Sequence, residues 1–267
     1  MSKVVLITGG SSGIGKSIGE FLHQKGFVVY GTSRNPEKVL NSVFPLVALD
    51  VRNSDSIKTA VSKIIETSGR LDIVINNAGV GITGPLEEIP TEEIRNNFET
   101  NFFGPIEVMK AALPQMRKQN SGLIINITSI AGYMGLPYRS VYSASKGALE
   151  LITEALRMEV KAFGVEITNV APGDFATNIA AGRYHAPVIK NSAYEKVYGD
   201  VLATMNDHVD AGSNPNEMAE AVYKIIQTKK PNVHYKVGAF MQKFSIVLKR
   251  ALPDKVYEKM LMNHYKL

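Results

Sequence analysis

Tyr142 and Lys146 stand four residues apart in the stretch Tyr142-Ser143-Ala144-Ser145-Lys146, which places a phenol and an ammonium on one face of a helix. An ammonium beside a tyrosine stabilises the tyrosinate, so the phenol's pKa falls from its free value of ~10 toward neutrality. Tyr142 would then exchange protons near physiological pH. The same residues carry a rival chemistry. Ser143-Ala144-Ser145-Lys146 also reads as the Ser-x-x-Lys of serine acyl-transferring hydrolases, with Ser143 as nucleophile and Lys146 as its activator, but no Ser-Asp-Asn or Lys-Thr-Gly partner accompanies it.

A second chemical element lies near the N-terminus. Lys3–Thr8 reads as a buried strand, followed by a glycine turn and a helix running to about Lys25. Backbone N–H groups at such a helix start, with no side chains in the way, form a pyrophosphate site. The turn residues in place to do this are Gly9, Ser11, Ser12, Gly13, Ile14 and Gly15.

The elements around these residues alternate. Strands are expected at Phe27–Thr32, Leu46–Leu49, Ile73–Asn76, Gly122–Thr128, Val165–Val170 and near His234–Val237. Helices are expected at Asp55–Ser68, Thr91–Phe103, Pro105–Lys118 and Tyr142–Phe163. This order predicts an α/β fold: one doubly wound Rossmann-type domain with a central parallel sheet of about seven strands and helices on both faces. We place that domain at 1–240 and a C-terminal extension at 241–267.

Composition narrows the function. The 267 residues are 45% hydrophobic and 21% charged, as in a soluble globular protein. The absence of cysteine excludes disulfides and thiolate metal sites and suits a reducing, cytoplasmic setting. The five histidines (His23, His185, His208, His234, His264) have no metal-ligand spacing, so no metal is expected. No segment offers the ~18 apolar residues of a membrane span. The net charge is +5, and residues 236–267 carry all of it, with seven Lys/Arg against Asp254 and Glu258. The rest of the chain is neutral overall, which argues against a nucleic-acid surface.

Taken together, Thr8-Gly9-x-x-x-Gly13-x-Gly15, Asp50-Val51, Asn76-Asn77-Ala78-Gly79, Asn101, Ser129, Tyr142-x-x-x-Lys146 and Pro172-Gly173-x-x-x-Thr177 resemble the short-chain dehydrogenase/reductase family over residues 3–240. Within it, the chain looks most like the 17β-hydroxysteroid and retinol dehydrogenase-like branch. The resemblance implies a catalytic tetrad of Asn101, Ser129, Tyr142 and Lys146. Tyr142 would exchange a proton with the substrate oxygen while hydride moves to or from the nicotinamide. Lys146 would lower the Tyr142 pKa and hold the nicotinamide ribose, Ser129 would hold the carbonyl oxygen, and Asn101 would position a water against Lys146. Asp50 and Val51 would meet adenine, Asn77, Ala78 and Gly79 would line the adenosine side, and Pro172, Gly173, Phe175 and Thr177 would frame the carboxamide.

In the family frame, cofactor choice falls at the end of the second strand. An acid there binds the ribose hydroxyls of NAD and repels a 2′-phosphate. This chain has Ser33-Arg34 instead, which suits NADP(H). The implied activity is interconversion of a carbonyl and an alcohol, in the direction of reduction. A non-catalytic NADP-binding regulatory or scaffold protein is the alternative, although such proteins often lose the Tyr or Lys retained here.

Residues 178–216 correspond to the family's substrate lid. Tyr184, His185, Tyr194, Tyr198, Met205 and His208 there suit a small apolar carbonyl substrate, or else pack the lid onto the body. The sequence shows no arginine cluster for a phosphate or coenzyme handle, while Arg183 and Lys190 leave a charged group on the substrate as an open alternative. In the extension, Phe240, Phe244, Val247, Leu248, Ala251 and Leu252 recur at helical spacing among Lys243, Lys249 and Arg250. Three readings follow: packing over the cleft or body, a subunit contact, or weak peripheral membrane attachment. The resemblance implies a homodimer or homotetramer, often formed through the helices at 105–118 and 142–163.

Overall fold

The computed structural model describes residues 2–175, 182–210 and 212–267, apart from the side chains of 204 and 206–210. The elements in chain order are β1 Val4–Ile7, α1 Gly13–Gln24, β2 Val28–Ser33, β3 Leu46–Ala48, α2 Ser54–Ser68, β4 Ile73–Asn76, β5 Ile82–Thr83, α3 Thr91–Phe98, α4 Gly104–Gln119, β6 Gly122–Ile127, α5 Ser140–Val160, β7 Val165–Pro172, β8 Tyr184–His185, α6 Glu195–Asp210, α7 Pro215–Gln227, β9 His234–Val237, α8 Phe240–Ala251 and α9 Asp254–Tyr265. The main sheet is parallel and seven-stranded, in the order β3-β2-β1-β4-β6-β7-β9.

Each face of this sheet is covered because its strands are apolar on both sides. Val4 and Leu6 of β1 face one way and pack with Ile57, Ile64, Val108, Met109 and Leu149 from α2, α4 and α5. Val5 and Ile7 face the other way, toward Ile18, Leu22, Met218, Val222 and Ile225 of α1 and α7. These buried chains bring about 1.5–3 kcal/mol each by leaving water.

Strand order reverses beside β1, where β2 and β3 run to one side and β4, β6, β7 and β9 to the other. The crevice at the carboxyl ends of β1 and β4 is therefore the place where such a sheet takes a ligand. The expected strands lie within a residue or two of those observed. The region 91–118 differs, because α3 and α4 are joined through a π-helical turn, Glu99–Phe103, rather than a break. The expectation also left out three features: the two-stranded parallel pairing of β5 with β8, α6 and α7.

Candidate active site

The glycine turn is folded by close approach. Gly9 and Gly13 have φ of +65° and +53°, a region that L side chains adopt only at a cost. A Cβ on Gly15 would lie 2.4 Å from both the Asn77 Nδ2 and the Gly9 carbonyl oxygen. That crowding exists because Asn77 reaches across from β4, donating Nδ2 to the Thr8 and Gly9 carbonyls at 3.0 and 3.2 Å. Thr8 Oγ1 in turn accepts from the backbone N–H groups of Asn77 and Ala78, each at 3.0 Å. Ser12 precedes α1 without a side-chain cap, so the first-turn N–H groups remain available to an anion.

This turn forms one wall of a cleft of about 520 Å³. All of the cofactor residues expected from sequence line it except Gly15, Gly173, Phe175 and Thr177. Gly15 lies beneath the turn as just described, Gly173 and Phe175 line the adjoining cavity, and Thr177 falls outside the described residues, as do parts of the expected lid. A cleft of this length, with a glycine cradle at one end and Tyr142 and Lys146 at the other, fits a dinucleotide. Arg34 faces the cleft beside Ser33, and Arg52 joins it. The sequence reading missed Arg52, which pairs with Asp50 at 3.4 Å. Burial alone would raise the Asp50 carboxyl, but the Arg52 backbone N–H and guanidinium, with Arg34 beyond, hold it below its usual value.

The other end of the cleft is set by contact between a turn and a helix. Ile130–Tyr133 forms a 3-10 turn with Ser129 as its cap, and Ser129 Oγ accepts from the Ala131 N–H at 3.1 Å. Gly132 lies against α5, where an added Cβ would come within 3.1 Å of the Gly147 nitrogen. The closeness of turn and helix places Ser129 beside the Tyr142 phenol, where both line one cavity and the serine acts to lower the phenol's pKa. Lys146, one turn along α5, donates to the Ile127 carbonyl at 3.0 Å and lies 6.0 Å from the Tyr142 ring centroid. Asn101 sits in the π turn, fully buried. Its Oδ1 accepts from Val80 N at 2.9 Å, and its Nδ2 donates to the Val80 carbonyl at 2.9 Å. An added Cβ on Gly79 would lie 3.1 Å from Asn101 Oδ1 and 3.3 Å from Lys146 Nζ, so this glycine holds the two groups close.

The electrostatics differ from expectation. Burial pushes the Tyr142 phenol up, against the pull of Ser129, Arg139 and Arg183. Lys146 is itself lowered to about 8 by burial, while Glu150 acts to raise it. The lysine's charge therefore does not outweigh desolvation of the phenol. Ser143 Oγ has no hydrogen-bond partner. The nucleophile–base contact required of a Ser-x-x-Lys hydrolase is absent from these described residues.

Behind Lys146 lies a buried polar group that the sequence reading passed over. Glu150 accepts from Thr128 Oγ1, from Tyr133 Oη at 3.0 Å and from Asn169 Nδ2 at 3.0 Å. It also meets His234 Nδ1 at 2.7 Å, while His234 Nε2 meets Glu154 at 2.9 Å. Glu150 is four residues after Lys146 on one helix face, which was the only signal for it. His234, assigned no chemistry from its spacing, has its pKa raised chiefly by the Glu150 hydrogen bond.

Beside the Tyr142–Ser129 pair is a cavity of about 80 Å³, lined by Ile14, Ile82, Phe175, Arg139, Asp174 and Arg183 among others. Of the two readings of the lid residues, substrate contact or packing onto the body, Tyr198 and Met205 take the second. Tyr198 and Met205 are fully buried, and Tyr198 Oη donates to the Ala186 carbonyl at 2.9 Å. Tyr184 does line the main cleft. The C-terminal helices pack onto the body. Ile246 of α8 and Tyr257 of α9 form a core with Ile130, Met134 and Ala171. Gln242 of α8 reaches the cavity, donating to Asp174 Oδ2 at 2.7 Å. Among the described residues no group of acidic, histidine or cysteine side chains is arranged for a metal, and no helix is long and apolar enough to cross a membrane.

Comparison with known proteins agrees with this geometry. The model of the short chain dehydrogenase family matches residues 3–187, and the chain belongs to that family. It is an oxidoreductase built on the family's nucleotide-binding fold. One similar protein is the 3-ketodihydrosphingosine reductase of Bacteroides thetaiotaomicron, 41% identical over 266 residues, or 99% of this chain and 98% of that one. Among solved structures, a short-chain dehydrogenase from Streptomyces avermitilis superposes with a TM-score of 0.86 at 30% identity, covering 100% of this chain and 97% of the other. ElxO, solved with NADP bound, gives 0.73 at 29% identity, covering 89% of this chain and 97% of the other.

Proposed function

We propose that this protein is an NADPH-dependent reductase of a ketone on a long apolar chain, with Asn101, Ser129, Tyr142 and Lys146 as its catalytic group. The observation that carries this reading is that Tyr142 meets Ser129 where the dinucleotide cleft joins the smaller cavity. The bound nicotinamide supplies the hydride. The chain's own part is to hold the carbonyl oxygen with Ser129 and to deliver a proton from Tyr142 Oη to it. Lys146 and Asn101 support the proton's replacement from solvent. Residues 1–240 form the catalytic domain, and 241–267 complete its substrate cavity through Gln242.

The 3-ketodihydrosphingosine named for the relative is the first compound to assay. Oxidation of NADPH on its addition is expected, and no turnover with any long-chain ketone would overturn the proposal. Cofactor preference rests on Arg34, which faces the cleft where a ribose phosphate would lie. We expect kcat/KM for NADPH to exceed that for NADH by about 10–100-fold, and R34D to reverse the order. A wild-type ratio near one would refute the NADP assignment.

We place the enzyme in the cytoplasm as a homodimer or homotetramer. Phe103 in the turn before α4, and Leu151 and Met158 on α5, leave apolar surface at 47%, 68% and 72% exposure, which supports association through these helices. α8 presents a different face. Phe240 and Phe244 stack at 5.7 Å, and Phe240, Met241 and Val247 are exposed amid Lys243 and Arg250. This pairing of apolar and basic side chains supports peripheral attachment to an anionic bilayer. Co-sedimentation with phosphatidylserine vesicles should be partial and salt-sensitive, and should be lost in the F240S/M241S double variant. Equal sedimentation of variant and wild type would exclude the attachment.

A further inference from the structure

Arg139 and Arg183 come from different elements, one just before α5 and the other just before β8, and both line the cavity beside Tyr142. Neither has a carboxylate within ion-pair distance among the described residues. Arg183 is laid across Gly81, where an added Cβ would be 2.7 Å from its Cγ and 2.8 Å from its Nε. Its Nη1 is buried without a hydrogen-bond partner among the described residues. Burial and the like charge of Arg139 both act against the Arg183 cation, with Tyr142 and Asp174 giving partial relief. Asp174, the one carboxylate that lines the cavity among the described residues, is fixed by Gln242, whose Nε2 donates to Oδ2 at 2.7 Å and whose Oε1 accepts from the Asp174 backbone at 3.2 Å. Two guanidinium groups thus face a small space with one carboxylate between them, an arrangement that disfavours the free protein unless an anion completes it.

We infer that Arg183, aided by Arg139, binds an oxyanion on the substrate, a carboxylate, sulfonate or phosphate close to the carbonyl that Ser129 and Tyr142 hold. Arg183 is a specificity-determining residue in this scheme, and the substrate is a long-chain ketone with an acidic head. The inference rests on the ketone-reductase reading for its position in the reaction, and it revises the expectation of a wholly apolar substrate. A planar guanidinium with a free N–H suits two-point contact with such a group. Asp174 borders the same space and suits a donor on the head, such as an ammonium next to the acid.

The test uses the full chain and NADPH with long-chain 3-ketones of one length whose terminal head is hydroxyl, carboxylate, sulfonate or phosphate. At least one acidic head should give a KM about 10–100-fold below that of the hydroxyl compound, with kcat changed much less. The three acids distinguish which oxyanion fits. R183Q should bring the acid-to-hydroxyl ratio of kcat/KM to about one, and R183K should retain part of it. Binding of the corresponding 3-hydroxy products to the NADPH-loaded protein, followed by calorimetry, gives a readout independent of turnover. If no ketone is reduced, the reductase proposal fails while head-dependent binding still decides this one. A wild-type preference for the hydroxyl head, or a ratio unmoved in both R183Q and R139Q, would overturn it.

Discussion

Tyr142→Phe should reduce ketone turnover by about 100- to 10,000-fold or more while leaving the dissociation constant for NADPH within a few-fold of wild type. The ring stays in place, so packing against Val141, Ile82 and Tyr198 is kept, and only the proton is lost. The raised pKa of this phenol sets the pH dependence. Above neutrality the phenol remains protonated, so reduction, which needs an acid, should be flat through neutral pH and decline only in alkaline solution. Oxidation of the alcohol needs the phenolate and should rise with pH over the same range. Steady-state rates in both directions across a pH series check this. Wild-type-like turnover in the variant would remove Tyr142 from the reaction, and a reduction rate that rises with pH would contradict its role as the acid.

Glu150→Ala should be the most damaging change to stability near the site. The carboxylate is buried and holds Thr128, Tyr133, Asn169 and His234. Its removal leaves the buried donors of Thr128 and Asn169 and the Tyr133 hydroxyl without their acceptor and takes one carboxylate from His234, a loss of about 3–5 kcal/mol. For a chain of this size that corresponds to a Tm roughly 6–20 °C lower. A drop of less than about 2 °C would show that the site can relax or admit water.

The His234–Glu150 contact also makes stability depend on pH, in a direction fixed by linkage. His234 has a folded pKa raised above its unfolded value, first by the Glu150 hydrogen bond. Its contribution is fully present below the unfolded value of ~6.5 and is lost as pH rises through the folded one. Wild-type Tm should therefore fall on the alkaline side of neutrality by more than that of His234→Asn. Parallel melting curves for the two proteins from acid to alkaline pH would refute the contribution.

Much of this site was legible because its residues sit at the ends of regular elements. β1, the glycine turn and α1 announce themselves by an apolar run followed by glycines, and Tyr142 and Lys146 by helical spacing. The dinucleotide end of the cleft needed nothing more. What stayed hidden was brought together by chain crossings. Arg139 and Arg183 converge only because β8 returns to pair with β5, through Ile82↔Tyr184 and Thr83↔His185, and two-residue strands leave no periodicity to read. Glu150 looks like one more charge on an amphipathic helix until β7 and β9 supply Asn169 and His234. The expectation that Lys146 lowers the Tyr142 pKa failed for a related reason, since desolvation depends on packing that no spacing reveals. α7 was a different kind of miss. Asn214 caps it, Pro215 opens it, and Met218, Ala219, Val222, Ile225 and Ile226 line its buried face. Those signals were all in the sequence.

The sheet order has a consequence for how this chain comes to be folded. β1 precedes the other strands in chain order, lies in the interior of the sheet and pairs with residues 73–75 on one side. β7 pairs along its outer edge with residues 234–237, so the register of the sheet is completed by strands far apart in the chain. Closing such long loops precedes the contacts that reward it, which makes folding slow. A growing chain that has emerged only as far as residue 187 already contains Glu150 and its helix but not the imidazole that pairs with it. Until β9 docks, the charge behind Lys146 has lost one of its hydrogen-bond partners. The candidate site and the last strand of the sheet are therefore completed together, since Lys146 gains its full electrostatic surroundings only once β9 has docked.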